Sequence, residues 1–346
     1  MTKFSAKKIV CLIPPYYDFL CATVIDGLKQ LNCRLHCNER TNNATEKEYT
    51  PLKELLANCN DCDFIFLFSS ADYSSRKRFI IENNLRKKTV YLDGSDNRKL
   101  EDPDAFRIFN LCFKRELPFL KFVLKSILDS KHILDPLRKL KRYYLYSRYI
   151  LSLPFAAEQV YFSNIRENIK KDISVSCTLR PHACNPPERA RVIELIRDLN
   201  IPNAVIGPIN KANYRTDSFD KLKEEYFKVL ARSRISVSYP GLGFDTGRFW
   251  EILANKALLF SPPIQIKMPQ PFLEFKHFIP YSNLSQLKNR LLYYSNNEEE
   301  RERIADAGYR HLLQYHTSKK RAEYLLEMIS QRLNFKRDFR SAAAKL

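Results

Sequence analysis

Short, uninterrupted apolar runs alternate with amphipathic segments along most of the chain. In the first half these runs predict strands at Ile9–Ile13, Arg34–Cys37, Phe64–Phe68, Thr89–Leu92 and Ile108–Phe113. Between them, apolar residues recur three or four positions apart, which predicts helices at Leu20–Leu31, Leu52–Ala57 and Lys77–Leu85. Strands that alternate with helices in this way predict parallel βαβ units, and strands without polar alternation predict a sheet covered on both faces.

The pattern breaks at residues 114–160, where basic and aromatic residues dominate, and then resumes. Further strands are predicted at Ile173–Cys177, Ala204–Ile206, Ile235–Ser238 and Ala257–Phe260. Helices are predicted at Glu188–Leu199, Phe219–Ala231, Phe249–Ala254, Leu284–Tyr294, Glu298–Tyr315 and Lys319–Leu333, with a frayed tail at Asn334–Leu346. We therefore expect an α/β chain of two doubly wound, Rossmann-like domains that face a cleft, with a helical C-terminus. The expected domains are 1–160 and 161–320, followed by a C-terminal helix and tail at 321–346.

Composition places the chain among globular proteins. Its 346 residues are 45% hydrophobic and 28% charged, which excludes disorder along the whole chain and suits two domains. No apolar run is long enough to span a membrane, and the run Ile9–Ile13 is too short for the core of a signal peptide. Nine cysteines in a chain of this length do not indicate a disulfide scaffold. We therefore expect the protein to lie in the reducing cytosol, where peripheral attachment to the inner membrane face is a further option.

The formal charge of +19 predicts an acidic partner without choosing among partners. Basic residues are densest between Lys114 and Arg148, and Leu137–Tyr149 interleaves them with tyrosines. Three interpretations of Leu137–Tyr149 stay open. The segment lies on an anionic membrane, or it tracks nucleic acid, or it is a solvated helix face whose tyrosines pack on the core.

The segment Ser236–Glu251 carries the most specific chemistry. It contains three of the seven glycines and joins a predicted strand to a predicted helix. Glycines there let the backbone approach a ligand, and a helix N-terminus attracts phosphate. Arg248 suits a bidentate phosphate contact, Glu251 suits ribose hydroxyls, and Asp245 has the alternative role of capping the helix. The candidate donor-binding residues are Tyr239, Gly241, Gly243, Asp245, Thr246, Gly247, Arg248 and Glu251.

Gly247–Phe260 resembles the donor-site segment of GT-B glycosyltransferases. In that family a Glu begins a helix of the form Glu-x-x-Ala, and a small-residue turn and an apolar strand follow. The chain is also similar to the bacterial spore-maturation (CgeB-type) glycosyltransferase-like group, which has Arg-Phe-x-Glu before that helix and ends in a stretch like Glu300–His316, followed by Arg321. The resemblance covers roughly residues 235–325. It implies a nucleotide-sugar donor in the second domain and an acceptor hydroxyl in the first.

The chain departs from the family at one informative place. Retaining members carry two Glu with seven residues between them, and if Glu251 is the second, Gly243 stands at the place of the first. The resemblance therefore favours an inverting transfer, which needs a general base in the first domain. Asp18, after the first strand, is the first candidate, and Asp93, at the end of a later strand, is the second; each also suits an ordinary turn.

Other loop residues of the second half are weaker candidates. Arg180 follows a predicted strand and is a candidate for the donor phosphates, although a surface position before a proline is the plainer interpretation. His182 suits a polar loop better than a base, and Gly207–Lys211 has a weak claim to the base or sugar of the donor.

We predict no metal and no cofactor besides the nucleotide-sugar substrate. The pairs Asp61-x-Asp63 and Asp102-x-Asp104 resemble a metal-binding motif, but the first precedes a buried strand and the second flanks a proline. Cys59 and Cys62 form a CxxC without the second pair that a zinc site needs.

The expected function is transfer of a sugar to a hydroxyl of a glycan or lipid-linked acceptor. An anionic membrane surface is expected as a partner ahead of nucleic acid. The alternatives are a transferase acting on nucleic acid and a non-catalytic glycan-binding or structural relative.

Overall fold

The chain folds into two units, each built on a parallel β-sheet. A computed structural model describes residues 4, 6–41, 43–69, 73–109, 111–128, 135–162, 169–181, 186–209 and 219–343. The first unit comprises Met1–Ala156 with Thr317–Leu346, and the second comprises Ala157–His316.

The sheet of the first unit has the strand order β2-β1-β3-β4-β5-β6, and every pair is parallel. Its central strands are buried almost completely because helices cover both faces, which is why they lack polar alternation. The chain order reverses between β1 and β3, and ligands of doubly wound sheets bind outside the carboxyl ends of strands at such a point. The strands are β1 (Lys8–Leu12), β2 (Arg34–Cys37), β3 (Phe64–Phe68), β4 (Thr89–Asp93), β5 (Leu111–Lys114) and β6 (Ile150–Ser152).

The last helix of the chain packs on the first. The first-unit helices are α1 (Phe19–Gln30), α2 (Leu52–Asp61), α3 (Tyr73–Glu82), α4 (Ala105–Ile108), α5 (Leu120–Leu128), α6 (Asp135–Tyr149) and α12 (Ser318–Ala343), with a 3-10 helix at Leu85–Lys88. The hydroxyl of Ser318 donates to Asp26 Oδ2 at 2.5 Å, and the amide of Gln30 donates to that hydroxyl at 2.9 Å. A Cβ on Gly27 would lie 2.1 Å from the Ser318 carbonyl oxygen, so α1 and α12 approach this closely only because residue 27 is glycine.

The second unit has the strand order β11-β10-β9-β7-β8, again all parallel. The chain order reverses between β7 and β9, so the loops after these two strands are the expected ligand-binding loops. The strands are β7 (Ile173–Cys177), β8 (Val205–Ile206), β9 (Ser233–Val237), β10 (Leu258–Ser261) and β11 (Ile279–Pro280). The helices are α7 (Glu188–Asp198), α8 (Phe219–Arg232), α9 (Gly247–Ala254), α10 (Leu284–Asn296) and α11 (Glu298–Tyr315), with a 3-10 helix at Gln159–Phe162.

The α/β class and the helical C-terminus are confirmed, and the differences are local. Residues 105–108 form α4, so β5 begins at Leu111 instead of Ile108. The basic stretch after residue 114 forms α5 and α6 and then β6, a strand that the sequence did not predict. The tail predicted to fray continues α12 to Ala343. Among the described residues, none of the helices is both long and apolar enough to cross a membrane.

Candidate functional site

The loop after β9 carries most of the predicted donor-binding residues and lies at the carboxyl edge of the second sheet. Ser238 is fixed there, because its N–H donates to the Phe260 carbonyl at 2.8 Å and its carbonyl accepts from the Tyr281 hydroxyl at 2.7 Å. A tight turn follows, in which the Gly241 N–H donates to the Gly243 carbonyl at 3.0 Å. Tyr239 is half-buried beside this turn. The loop is thus held at its base.

The loop leads into the N-terminus of α9, and the capping role considered for Asp245 is wrong. Thr246 is the N-cap residue, with extended backbone, and among the described residues its side chain makes no capping bond. Asp245 is buried, and its Oδ1 accepts the indole N–H of Trp250 at 2.8 Å. Asp245 therefore ties the loop to its own helix. The Phe249 N–H donates to the Thr246 carbonyl at 3.1 Å, and the N–H groups of Gly247 and Arg248 come before it, in the part of a helix N-terminus that suits an anion.

Arg248 and Glu251 lie on one side of α9 and share Tyr226 of α8 as a neighbour. Arg248 Nη2 donates to the Thr178 carbonyl, in the loop after β7, at 2.8 Å. The Tyr226 hydroxyl donates to Glu251 Oε2 at 2.8 Å, and the Arg248 guanidinium carbon lies 5.8 Å from the Tyr226 ring centroid. The two loops of the switch point are therefore joined through the first turn of α9.

Arg248 is half-buried, and its neighbours favour the charged form of its guanidinium. Burial opposes the charge, but Tyr226 and the Glu251 carboxylate outweigh burial and raise the pKa of the guanidinium. Burial first, and the Glu251 charge second, raise the pKa of Tyr226 well above its usual value, so this phenol stays a hydrogen-bond donor. Arg248 Nε is buried without a hydrogen-bond partner in the described part of the chain. The site thus holds a fixed cation with an unused donor.

Arg189, near the start of α7, is a site residue that sequence reasoning missed. Its guanidinium donates to the carbonyls of Tyr239 at 3.0 Å, Pro240 at 3.0 Å and Arg180 at 3.3 Å, so one side chain holds both switch-point loops. Only 8% of the residue is exposed. Burial, and then the charge of Arg248, lower its pKa to about 10. Nothing in the local sequence distinguishes it, because the contacts lie 9 to 51 residues away.

The other predicted loop residues of the second half have mixed outcomes. Arg180 is half-buried in the loop after β7, and its carbonyl is one of those held by Arg189. Gly207 has φ +101° and donates its N–H to the Cys177 carbonyl at 2.9 Å, so it ends β8 in a conformation that favours glycine. His182, Asn210 and Lys211 lie outside the described residues.

Asp18 is the N-cap residue of α1, directly after β1, at the switch point of the first sheet. Its Oδ1 accepts from the Cys21 N–H at 2.8 Å. A Cβ on Gly94 would lie 3.3 Å from its Oδ2, so the loop after β4 closes over this carboxylate. Burial raises the pKa of Asp18, against the opposing effects of the Cys21 N–H and the Arg115 charge. A half-buried carboxyl with a raised pKa is a better base near neutral pH than an ordinary aspartate.

Asp93, the second candidate base, lies in the interior. It is fully buried, and its Oδ1 accepts from Lys114 Nζ at 2.9 Å and from the Ser95 hydroxyl at 2.7 Å. Its Oδ2 accepts from the Glu101 N–H at 2.7 Å. Burial lowers the pKa of Lys114, although Asp93 opposes the effect. This carboxylate has no exposed surface for an acceptor, which argues for a structural role in place of the predicted catalytic one.

The motifs that resemble metal or redox sites are engaged in structural contacts. Asp61 pairs with Lys8, and Asp63 pairs with Lys7 at 2.7 Å. Asp102 accepts from Tyr73 and Lys77. The pair Cys59 and Cys62 is buried, and burial raises the pKa of the Cys59 thiol to about 12, far from that of a reactive thiolate. Within the described ranges no group of three or more His, Cys, Asp or Glu could hold a metal ion.

A cavity of about 620 Å³ lies at the other edge of the second sheet, where β7, β9 and β10 begin. Lys171 lines it and donates to the carbonyls of Ala231, Ser233 and Asn255 at 2.8 to 3.1 Å. The Lys171 ammonium group therefore donates its hydrogen bonds to backbone carbonyls where strands begin and helices end. The cavity is separate from the switch-point loops.

Comparisons with known proteins agree with this geometry. Residues 189–327 match the model of a family described as "Glycosyl transferase-like". A glycosyltransferase from Rickettsia africae ESF-5 superposes over 95% of this chain and 99% of its own, with a TM-score of 0.60 and 13% identity. The fold is GT-B-like. The match to the family model spans Arg189, the loop after β9 and α9, but not the loop after β7.

Two further structures share the fold. Anabaena HepE, in complex with UDP-glucose, has a TM-score of 0.54 and 9% identity over 93% of this chain and 99% of its own. An alpha-glucosyltransferase, in complex with UDP-glucose and DNA containing an abasic site, has a TM-score of 0.55 and 10% identity over 93% and 98%. The sequence has no significant match among curated proteins. At these identities the likeness is one of fold, and the CgeB-type resemblance stays a prediction.

Proposed function

We propose that the chain is a glycosyltransferase that moves a sugar from a nucleotide-sugar donor to a hydroxyl of a glycan or lipid-linked acceptor. One observation carries this proposal: a half-buried, charged Arg248 lies in the first turn of α9, at the switch point of a GT-B-like second unit. A cation and free N–H groups at one place form a site for a diphosphate. Two structures that share this fold are complexes with UDP-glucose.

In the proposed donor complex, Arg248 and the first N–H groups of α9 bind the diphosphate. Glu251 accepts hydrogen bonds from ribose hydroxyls, and its bond to Tyr226 orients its carboxylate for that task. Tyr239, Gly241 and Gly243 line the approach to the sugar or base, Thr246 and Gly247 form the anion-binding turn, and Asp245 holds that turn through Trp250. Arg180 supplies a second cation for the phosphates. The donor is a substrate, and we propose neither a metal nor a further cofactor.

The proposed transfer is inverting, because Gly243 stands where a retaining enzyme of this family would carry its first Glu. The Asp18 carboxylate takes the proton of the acceptor hydroxyl, and the acceptor oxygen attacks the anomeric carbon. The bond from that carbon to the diphosphate oxygen breaks, and the electron pair leaves with the nucleoside diphosphate. Arg248 and the α9 N–H groups stabilise the added charge on the leaving group.

A thermal-shift screen against nucleotide sugars and nucleoside diphosphates tests the donor site. A ligand that binds the native state raises the melting temperature by mass action. We expect a shift with one class of nucleotide, its loss in Arg248→Ala, and its retention in Arg191→Ala. The control removes the same charge from an exposed position on α7. If every nucleotide leaves the melting temperature of folded protein unchanged, the non-catalytic alternative is favoured.

Turnover separates the donor site from the base. Asp18→Asn should keep the nucleotide-induced shift and lose about 10²–10⁴-fold in sugar transfer, which is the usual contribution of a general base. Asp93→Asn should instead lower the melting temperature, because its carboxylate is a buried partner of Lys114. An Asp18→Asn variant that transfers sugar at the normal rate would remove Asp18 from the mechanism.

A nucleic-acid acceptor is the second candidate. One structure with this fold is a complex with DNA, and the chain carries a charge of +19. Binding to duplex DNA that weakens steeply with salt, together with sugar transfer onto that DNA, would favour this candidate.

A further inference from the structure

Two neighbouring helices of the first unit expose large apolar side chains in regular rows. On α5 the row is Leu120, Leu124 and Leu128, spaced four residues apart, and Leu128 is 85% exposed. On α6 the row is Leu137, Leu140 and Tyr144, spaced three and four apart, and Leu137 is 68% exposed. These spacings place each row along one side of its helix. We call the six side chains together the α5–α6 face.

Within the described part of the unit, packing leaves much of this face in solvent. The two helices contact each other, and their inward residues are Val123 on α5 and Tyr146 on α6, both more than nine-tenths buried. The Tyr146 hydroxyl accepts the Leu100 N–H at 3.0 Å, so α6 is anchored by its inner side. An isolated exposed leucine needs no explanation, but rows on two adjacent helices indicate an interaction site.

The polar residues beside the α5–α6 face are basic. Lys121 and Lys125 flank the row on α5, and Arg138, Lys141 and Arg148 flank the row on α6; all five are exposed. In the described parts of both helices Asp135, at the start of α6, is the one acidic residue. Apolar rows bordered by cations complement a surface with an acyl interior and anionic headgroups.

We propose that the α5–α6 face docks on an anionic lipid bilayer, with its leucines at the acyl boundary and its lysines and arginines at the headgroups. This proposal deepens the proposed function and rests on it in one respect. If the chain is the proposed glycosyltransferase, docking holds the acceptor-binding unit at the membrane in which a lipid-linked acceptor resides. Charge complementarity alone would also suit nucleic acid. The exposed leucine rows favour lipid, because a phosphate backbone offers leucine no apolar partner, whereas a bilayer does.

Two variants separate the apolar and electrostatic contributions. Leu128→Glu/Leu137→Glu removes the two most exposed leucines, and because so much of each is already in solvent, the fold loses little packing. Leu313→Glu, on α11 of the second unit and 41% exposed, is its control. Lys121→Glu/Lys125→Glu reverses two charges beside the face.

The assay is co-sedimentation of the full chain with vesicles of phosphatidylcholine, with and without phosphatidylglycerol. We expect binding to the anionic vesicles only. The leucine variant should weaken it about tenfold or more, since each buried leucine contributes about that factor. The lysine variant should weaken it by at least about fivefold per position and remove most of its salt sensitivity. Leu313→Glu should bind as the unchanged protein does.

The outcomes distinguish this proposal from the proposed function. Absence of binding to anionic vesicles, or equal binding by the leucine variant, overturns the docking surface. The proposal is also overturned, in favour of nucleic acid, if duplex DNA competes with vesicles for the protein and the leucine variant binds that DNA as well as the unchanged protein does. The nucleotide-induced thermal shift should persist in both variants, because neither changes a residue of the second unit. A missing shift with intact vesicle binding would refute the donor site and leave the docking surface standing.

Discussion

Replacing Arg189 with methionine tests whether one guanidinium holds the two switch-point loops together. The side chain is 8% exposed and donates three hydrogen bonds, to the carbonyls of Arg180, Tyr239 and Pro240. Methionine fills a similar volume but leaves these carbonyls without that donor.

The expected cost follows from the exposure of the acceptors. Arg180, Tyr239 and Pro240 are half-buried, so water can replace part of each lost bond, and the cost per carbonyl falls at the low end of about 1–3 kcal/mol. Removing a buried cation offsets part of this loss, because the lowered pKa of Arg189 shows that its charge is disfavoured there. We expect the free energy of unfolding to fall by about 1–3 kcal/mol.

Donor binding should fall as well, because both loops carry proposed donor contacts. Urea unfolding measures the stability, and the nucleotide-induced thermal shift measures the binding. Arg191→Met, exposed on the same helix, is the matched control. Arg189→Lys should recover little, because an ammonium cannot present the planar fork that spans both loops. A methionine variant with unchanged stability and an unchanged nucleotide shift would refute the reasoning.

Four further predictions concern the first unit. Because the pKa of Asp18 is raised, kcat/KM for sugar transfer should begin to fall at a higher pH than it would with an aspartate of ordinary pKa. Asp18→Asn should remove this acidic limb of the kcat/KM profile. The ionised Asp18 carboxylate also lowers the free energy of unfolding, and this cost disappears as the pH falls through the raised pKa. The free energy of unfolding of Asp18→Asn, measured with urea, should therefore depend less on pH than that of the unchanged protein. Gly27→Ala should lower the free energy of unfolding by about 1–3 kcal/mol, since the new Cβ meets the Ser318 carbonyl; a stabilised variant would contradict the packing of α1 on α12. Lys114→Met should cost about 3–5 kcal/mol in the same assay by leaving Asp93 buried without its cation, and a change under about 1 kcal/mol would count against that pair.

The strands and the strand-to-helix turn could be predicted because local chemistry determines them. An apolar run such as Phe64–Phe68 has one stable environment, the middle of a sheet covered on both faces. The glycine-bearing segment before Arg248 likewise predicted a helix N-terminus, and α9 begins there at Gly247. Residues within one turn of each other decide both features.

Burial and distant contacts could not be predicted from the sequence. Asp18 and Asp93 each follow or end a strand near a turn, and only the packing shows one carboxyl half-buried and the other enclosed by Lys114 and Ser95. The short strand β6 was missed because three residues after a basic helix give no periodic signal; its place is decided by pairing with β5.

The sequence by itself determined the α/β class, the helical C-terminus and the turn that carries Arg248, since each depends on periodicity or on neighbours a few residues apart. The tertiary structure alone decided that Arg189 joins two loops, that Tyr226 reaches Glu251, and that α12 returns to α1. These contacts join residues 9 to 288 positions apart. These contacts form only when the strand order of each sheet brings distant loops and helices together. They could not be predicted, because an arginine or a tyrosine has the same local sequence pattern whether its side chain is solvated or buried.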